Sequence, residues 1–349
     1  MIIKEAAGHT YAKQNTTKKM QLAPWMLLLI VGLALAQRDA CPDEETLRPC
    51  TCDGTGINCM HVQTTAQLEA SFTATGQNEH EGLWIQKTPL RHINSGVFGM
   101  FKFAEVYIEM NANLTSFVLE CLGESQSALR VLSLFSNAID RFSFEKVAEY
   151  PELRTLNLAR NMLTSIPPRA FRAEQLETLA LSHNPITSVG RHAFSELPGL
   201  KKLLLQNTRL STLGPYSFAW RVHSVDLTIL LEKSRISDIH ESAFEGTGPI
   251  TLNLARNNLT SLAPDVFLPL AQSMINNMRN RMDNELAVLF TGGNPLSCRG
   301  CDYLWLVRNK RNPVLRQILR DFRCSDGSRL YELGLPMIRC NVDGRNRIN

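Results

Sequence analysis

Apolar and polar positions come in short bursts along the middle of this chain, and the bursts return at a near-fixed period. Leu129, Leu132, Leu134, Asn137 and Ile139 form one; Leu153, Leu156, Leu158, Asn161 and Leu163 repeat it, as do Leu176, Leu179, Leu181, Asn184 and Ile186. The closing residue falls at 139, 163, 186, 210, 236 and 259, with spacings of 24, 23, 24, 26 and 23. A Leu-x-Leu step predicts a short strand whose leucines point one way and whose intervening residues point the other. One such strand cannot bury its apolar row alone, so successive turns must stack into an elongated core. Each Asn falls where the chain leaves the strand, and its amide can satisfy backbone groups the turn would otherwise bury unpaired. A second period, Phe171, Phe194, Phe218, Phe244 and Phe267, predicts an aromatic row behind the leucines. Each buried Leu or Phe contributes roughly 1.5–3 kcal/mol, so stability is spread along the array.

Earlier turns follow the pattern more loosely: Leu83, Ile85, Thr88, Leu90 and Ile93 fit with Thr in the Asn position, and Val106, Ile108 and Asn111 fit until one extra residue displaces Leu114. Thr208 and Ser234 replace Asn further on and still offer a hydroxyl. Eight turns in series end on Leu90, Leu114, Ile139, Leu163, Ile186, Leu210, Ile236 and Leu259. Leu296 closes a final partial turn 37 residues later. Within that gap, the irregular segment near 273–286 spaces Met274, Met278 and Met282 at four, a stripe on one helical face. It reads as a protruding partner-binding helix or as a degenerate repeat.

The ends point to a compartment. Lys18 and Lys19 precede a nearly all-apolar run, Leu22 to Ala36, finishing in Ala34-Leu35-Ala36. The run is too short to span a membrane and reads as a secretory signal cleaved before Gln37. Residues 1–36 carry four Lys and one Glu, so a chain cut there falls from +4 to about +1. From Cys298 to Asn349, eleven Lys/Arg face five Asp/Glu, a basic patch that could meet an anionic glycan. Aromatic residues are not interleaved there as single-strand nucleic-acid binding would want, so no nucleic-acid partner is expected. The residues after Cys340 offer no apolar span, and no membrane helix is expected at that end.

Of nine cysteines, Cys41, Cys50, Cys52 and Cys59 precede the first turn, Cys298, Cys301, Cys324 and Cys340 follow the last, and Cys121 is left over. An open solenoid must cover its two apolar ends, and cystine clusters do so in an oxidising compartment. Spacing alone leaves three pairings open within each cluster. Cys121 reads as a buried free thiol. The resulting division is a signal peptide at 1–36, an N-terminal cysteine cap at 37–62, repeats at 63–297 and a C-terminal cysteine cap at 298–349.

No catalytic constellation stands out. No pair of the eight His has metal-ligand spacing on one helical face, and neither a Gly-x-Ser-x-Gly elbow nor a phosphate-cradling glycine loop occurs. A non-enzymatic binding scaffold without cofactor or metal is expected. Sequons at Asn113-Leu-Thr115 and Asn258-Leu-Thr260 are expected to carry N-glycans.

The repeat, together with CPDEETLRPCTCDGTGINC before it and NPLSCRGCDYLWLVRN after it, resembles the extracellular leucine-rich repeat family, from about Cys41 to Cys340. In its compact layout the chain is also similar to secreted arthropod proteins described as non-catalytic subunits of a luciferase complex. The family's C-terminal cap usually opens with Cys-x-Cys; here it opens Cys298-Arg299-Gly300-Cys301. The resemblance implies an α/β horseshoe solenoid with a parallel concave sheet. It also implies first-to-third and second-to-fourth pairing: Cys41 with Cys52, Cys50 with Cys59, Cys298 with Cys324 and Cys301 with Cys340. A protein partner is expected on the concave face, where Trp84, Glu105, Tyr107, Glu109, Ser133, Phe135, Thr155 and Asn157 should line up in its N-terminal half and expose an aromatic row. Leu204 and Leu230 form a second apolar candidate. Two functions follow: an accessory subunit of a secreted complex, or a soluble innate-immune or matrix recognition protein for glycan or protein ligands.

Overall fold

The computed structural model describes residues 41–281 and 286–340. The expected signal peptide and Met282 lie outside these residues. Eleven strands form one sheet in which spatial order equals chain order: β1 (Thr51–Cys52), β2 (Gly56–Asn58), β3 (Glu79–Gln86), β4 (Lys102–Glu109), β5 (Val131–Ser133), β6 (Thr155–Asn157), β7 (Thr178–Ala180), β8 (Lys202–Leu204), β9 (Thr228–Leu230), β10 (Thr251–Asn253) and β11 (Val288–Phe290). Only the β1–β2 hairpin is antiparallel, with Thr51 opposite Asn58; every later pair is parallel. The register follows the leucine pattern, with Leu132, Leu156, Leu179, Leu203, Ile229, Leu252 and Leu289 successive partners. All seven are fully buried.

The Asn positions knit the turns together. Asn161 Oδ1 accepts from the backbone N–H of Ile139 (3.1 Å), and its Nδ2 donates to the carbonyls of Leu134 (2.8 Å) and Leu158 (3.0 Å). Asn184, Asn257 and Asn294 repeat this pattern in their own turns. Thr88 and Asn111 are joined through the Asn111 Oδ1 (2.8 Å), and Thr208 Oγ1 lies 2.9 Å from Ser234 Oγ. For these side chains to turn inward, the residue before each takes a left-handed backbone: Lys87, Met110, Ser136, Arg160, His183, Asn207, Lys233 and Arg256 have φ between 56° and 59°. Only the last turn has glycine there, Gly293 at φ 75°. For a non-glycine residue this conformation costs roughly 1–2 kcal/mol, offset by the hydrogen bonds of the Asn, Thr and Ser ladder side chains.

Behind the leucines, Phe144, Phe171, Phe194, Phe218 and Phe244 form a row with successive ring centroids 5.1–5.9 Å apart: the first pair meets edge-on, Phe171 and Phe194 stack, and the last two pairs are tilted. Phe267 is buried in α3 (Pro264–Arg279), a 16-residue helix on the back of the last full turn, which accounts for much of the 37-residue gap. The irregular segment therefore starts earlier than the Met spacing suggested. Its stripe does not protrude: Met274 is fully buried and Met278 packs against the core. Asn277 Nδ2 and the Arg281 guanidinium both donate to the Val225 carbonyl at 3.0 Å, tying the helix down to the preceding turn.

At the N-terminal end, α1 (Glu44–Leu47) and the hairpin are joined by Cys41–Cys52 and Cys50–Cys59, and α2 (Thr65–Ser71) follows. At the other end, α4 (Leu304–Asn309), α5 (Pro313–Ile318) and α6 (Leu335–Ile338) are held by Cys298–Cys324 and Cys301–Cys340. Trp305 is buried there, and its indole N–H donates to the Leu262 carbonyl at 2.9 Å. Cys121 is a buried thiol, and burial pushes its pKa well above the ordinary range. No helix among the described residues is long and apolar enough to cross a membrane.

Candidate functional site

The concave face is a set of parallel register rows, and the rows decide which side chains meet. Trp84 pairs with Tyr107, Tyr107 with Ser133 and Ser133 with Asn157. The Trp84 and Tyr107 rings are nearly parallel, 4° apart in plane, with centroids 6.2 Å apart. Two glycines make room for the indole. A Cβ on Gly82 would meet the Trp84 ring at 2.2 Å, and one on Gly56 would meet it at 2.6 Å. Because β2 and β3 carry no side chain at these partnered positions, the indole lies directly over backbone.

Phe135 does not belong to that row. The backbone N–H of Met110 donates to its carbonyl (2.9 Å), which sets it beside Glu109, one row further along the strands. The Arg160 guanidinium lies over its ring, 5.8 Å from the centroid. All three aromatic side chains are half-buried. The expected single row of exposed aromatics is thus a stacked pair and a separate, cation-covered ring. The two rows share a face, and the face alone does not distinguish them.

The pair is framed by carboxylates. Tyr107 donates its hydroxyl to Glu105 Oε2 at 2.7 Å, while Glu109 accepts from Ser133 Oγ at 2.5 Å and Gln86 Nε2 at 3.0 Å. Among the described residues neither Glu105 nor Glu109 forms an ion pair; Glu81 and Glu79 are matched by Arg130 and Lys102. Burial, the Glu105 bond and the charges of Glu105, Glu109 and Glu81 push the Tyr107 phenol up to about 12. Here two flat rings adjoin two uncompensated negative charges, an arrangement suited to a cationic or amphipathic side chain of another protein.

Further along, Thr155 and Asn157 are half-buried and Ala180 and Ser182 are buried, whereas Leu204 and Leu230 are register partners and half-buried. Asn113 and Asn258 are exposed beside the buried ladder. Away from the concave face, the C-terminal cap carries a cleft of about 460 Å³ lined by Arg316, Arg320, Arg323, Arg329 and Tyr331. None of these four arginines forms a salt bridge among the described residues. A larger groove of about 760 Å³ lies near Arg169, His192 and Tyr216 but mixes arginines with Glu196 and Glu245, so it presents no single charge. No group of three or more His, Cys, Asp or Glu among the described residues is placed to hold a metal ion.

The family description Leucine Rich Repeat matches residues 152–173, and Leucine rich repeat matches residues 174–219. The matched repeats, the eleven-stranded sheet and the cystines near both ends together show a leucine-rich repeat solenoid fold. The chain carries leucine-rich repeats between two cystine-held ends. It is similar to the Oplophorus-luciferin 2-monooxygenase non-catalytic subunit of Oplophorus gracilirostris, 26% identical over 324 residues and covering 84% of this chain and 86% of that one. It also shares its fold with a chain of the octameric complex of Latrophilin 3 (Lec, Olf), Unc5D (Ig, Ig2, TSP1) and FLRT2 (LRR), with a TM-score of 0.54 and 18% identity, covering 86% of this chain and all of that chain.

Sequence reasoning did not find the glycine floor or the arginine cleft. The first depends on the cap strand β2 pairing with β3 across the 20 residues, 59–78, that separate them. The second had a partial signal in the basic balance of the C-terminal segment, but composition does not say which arginines converge.

Proposed function

We propose that this protein is a secreted, non-enzymatic leucine-rich repeat protein whose concave face binds another protein, as an accessory subunit of a secreted complex such as a luciferase. The observation that carries this reading is the Trp84–Tyr107 stack on its glycine floor, flanked by Glu105 and Glu109, which have no ion-pair partner among the described residues. Apolar rings held half-open on a rigid sheet are typical anchors of protein interfaces. The similarity to a non-catalytic luciferase subunit supports the accessory role, and four cystines support an oxidising, extracellular setting. The aromatic site, the signal peptide and glycosylation at Asn113 and Asn258 are parts of this proposal.

Co-purification from native fluid is the test. A stoichiometric protein partner is expected, with capture lost in a Trp84→Ser, Tyr107→Ser double variant that keeps wild-type thermal stability; unchanged capture by that variant would remove the site. Intact mass of secreted material should show a chain beginning at Gln37, with one glycan fewer in each of Asn113→Gln and Asn258→Gln.

The four-arginine cleft favours a second reading, a recognition protein for an anionic glycan at the C-terminal cap. Retention on immobilised heparin that elutes at lower salt in Arg320→Ala, Arg323→Ala would support it; equal elution of the two proteins would dismiss it.

A further inference from the structure

Three successive turns of the concave face carry a buried side-chain oxygen with no hydrogen-bond partner among the described residues: Ser182 Oγ, Gln206 Oε1 and Glu232 Oε2. They are neighbours. The His183 N–H donates to the Gln206 carbonyl and the Asn207 N–H to the Glu232 carbonyl, both at 3.0 Å, which sets the three residues in one register row. Ser182 is only 4% exposed, and Gln206 and Glu232 are half-buried. No ion pair joins Glu232 among the described residues, and its chain neighbour Lys233 is exposed. A buried acceptor left unpaired is costly and uncommon in native structures, so three in adjacent turns need an explanation.

Leu204 and Leu230 supply the other half of the site. They lie two residues before Gln206 and Glu232 on the same face, are register partners, and are half-buried. An apolar strip thus ends in a row of acceptors that includes a carboxylate. A side chain that satisfies both parts needs an apolar stem and several N–H donors at its tip. Arginine has a three-methylene stem and a five-donor planar fork, and it is the residue best matched to a carboxylate beside other acceptors.

We propose that Ser182, Gln206 and Glu232, with Leu204 and Leu230 beneath, form a second anchor that receives an arginine side chain of the protein partner. This rests on the reading of the concave face as a protein-binding surface and adds the partner's chemistry. From β4 to β8 is four strand spacings, about 19 Å at ~4.8 Å each, so one partner surface can reach both this anchor and the Trp84–Tyr107 stack.

The test uses the full chain with leucine methyls isotopically labelled, titrated with N-acetyl-arginine amide and, in parallel, with the neutral citrulline amide. The methyl resonances of Leu204 and Leu230 are expected to shift saturably with the arginine probe. Citrulline should bind about tenfold more weakly, as should arginine to Glu232→Gln, because the charge-assisted bonds are lost. Leu→Ile substitution at 204 and 230 assigns the signals, and an unchanged methyl spectrum elsewhere shows that Glu232→Gln is folded. Absence of shifts at these two residues, equal response to citrulline, or full affinity in Glu232→Gln would each overturn the proposal and leave ordered water as the acceptors' partner. The titration involves no partner protein, so its failure leaves the concave protein-binding reading intact, and a failed co-purification leaves the arginine result standing.

Discussion

The carboxylate of Asp321 lies 2.8 Å from the backbone N–H of Gly292, and its second oxygen accepts from the N–H of Thr291 at 3.0 Å. In earlier turns the N–H at the Thr291 position donates to the carbonyl of the following strand, as Leu254 does to Phe290 (2.9 Å) and Leu231 to Asn253 (2.8 Å). Among the described residues no strand follows β11 in the sheet, and the side chain of Asp321 takes over its role. Asp321→Ala should therefore lower unfolding stability by about 2–3 kcal/mol, since two part-buried backbone donors lose their side-chain acceptor. Asp321→Asn, which keeps one acceptor oxygen, should fall between. Urea midpoints measured with all four cystines intact check the ranking.

The glycine floor predicts two different outcomes for two similar substitutions. In Gly82→Ala the three atoms nearest the new methyl all belong to the Trp84 ring, so the indole is expected to lift while the backbone stays. Fluorescence emission should shift to the red, partner capture should weaken by about tenfold, equivalent to ~1.4 kcal/mol, and the melting temperature should stay near wild type. In Gly56→Ala the methyl meets the Gly82 carbonyl oxygen at 2.1 Å, which is backbone. That variant should lose about 1–3 kcal/mol of stability by overpacking.

Tyr107 gives the concave site a signature at high pH. Its phenol is raised to about 12 by burial first and then by the bond to Glu105. A raised folded pKa means that the protonated form is favoured by folding. The stabilisation is complete below the ordinary phenol range near 10 and is lost as pH rises toward 12. A phenolate absorbance titration, differenced against Tyr107→Phe, should show this residue titrating late. In Glu105→Gln the midpoint should move back toward the ordinary value.

Single-residue losses in the ladder should rank by bonds made. Asn161→Ala removes an acceptor for Ile139 and donors to Leu134 and Leu158, and should cost about 3 kcal/mol or more. Thr208→Ala loses a single hydroxyl contact and should cost about 1 kcal/mol. Hydrogen exchange at the Ile139 amide should accelerate in the first variant and remain unchanged in the second.

The solenoid was legible in sequence because its physics is local and repeated: every buried Leu and Asn recurs at the same offset, so each turn independently states the same rule. Four of the five phenylalanines expected behind the leucines were legible for the same reason, whereas Phe267 sits in α3 and Phe144 extends the row at its other end. Phe135 was grouped with Trp84 and Tyr107 because alternation assigns a face but not a row. The Met stripe was visible, yet which way it faced depended on Val225 and Asp226 of another turn. The unpaired oxygens of Ser182, Gln206 and Glu232 left no trace in sequence at all, since satisfaction of a polar group is a property of its surroundings.

The substitution of hydroxyls for asparagines in two adjacent turns has a mechanical consequence. Thr208 and Ser234 bond to one another, and neither reaches back to the strand-exit carbonyls that Asn161, Asn184 and Asn257 reach. Between the turns of Asn184 and Thr208 the array keeps its sheet bonds, its aromatic row and an exposed Asn207–His183 side-chain contact at 3.4 Å, but among the described residues lacks the buried asparagine rivets used elsewhere. Bending or pulling the horseshoe should concentrate strain at that joint, giving two stiff arms and one compliant seam near the middle of the curve.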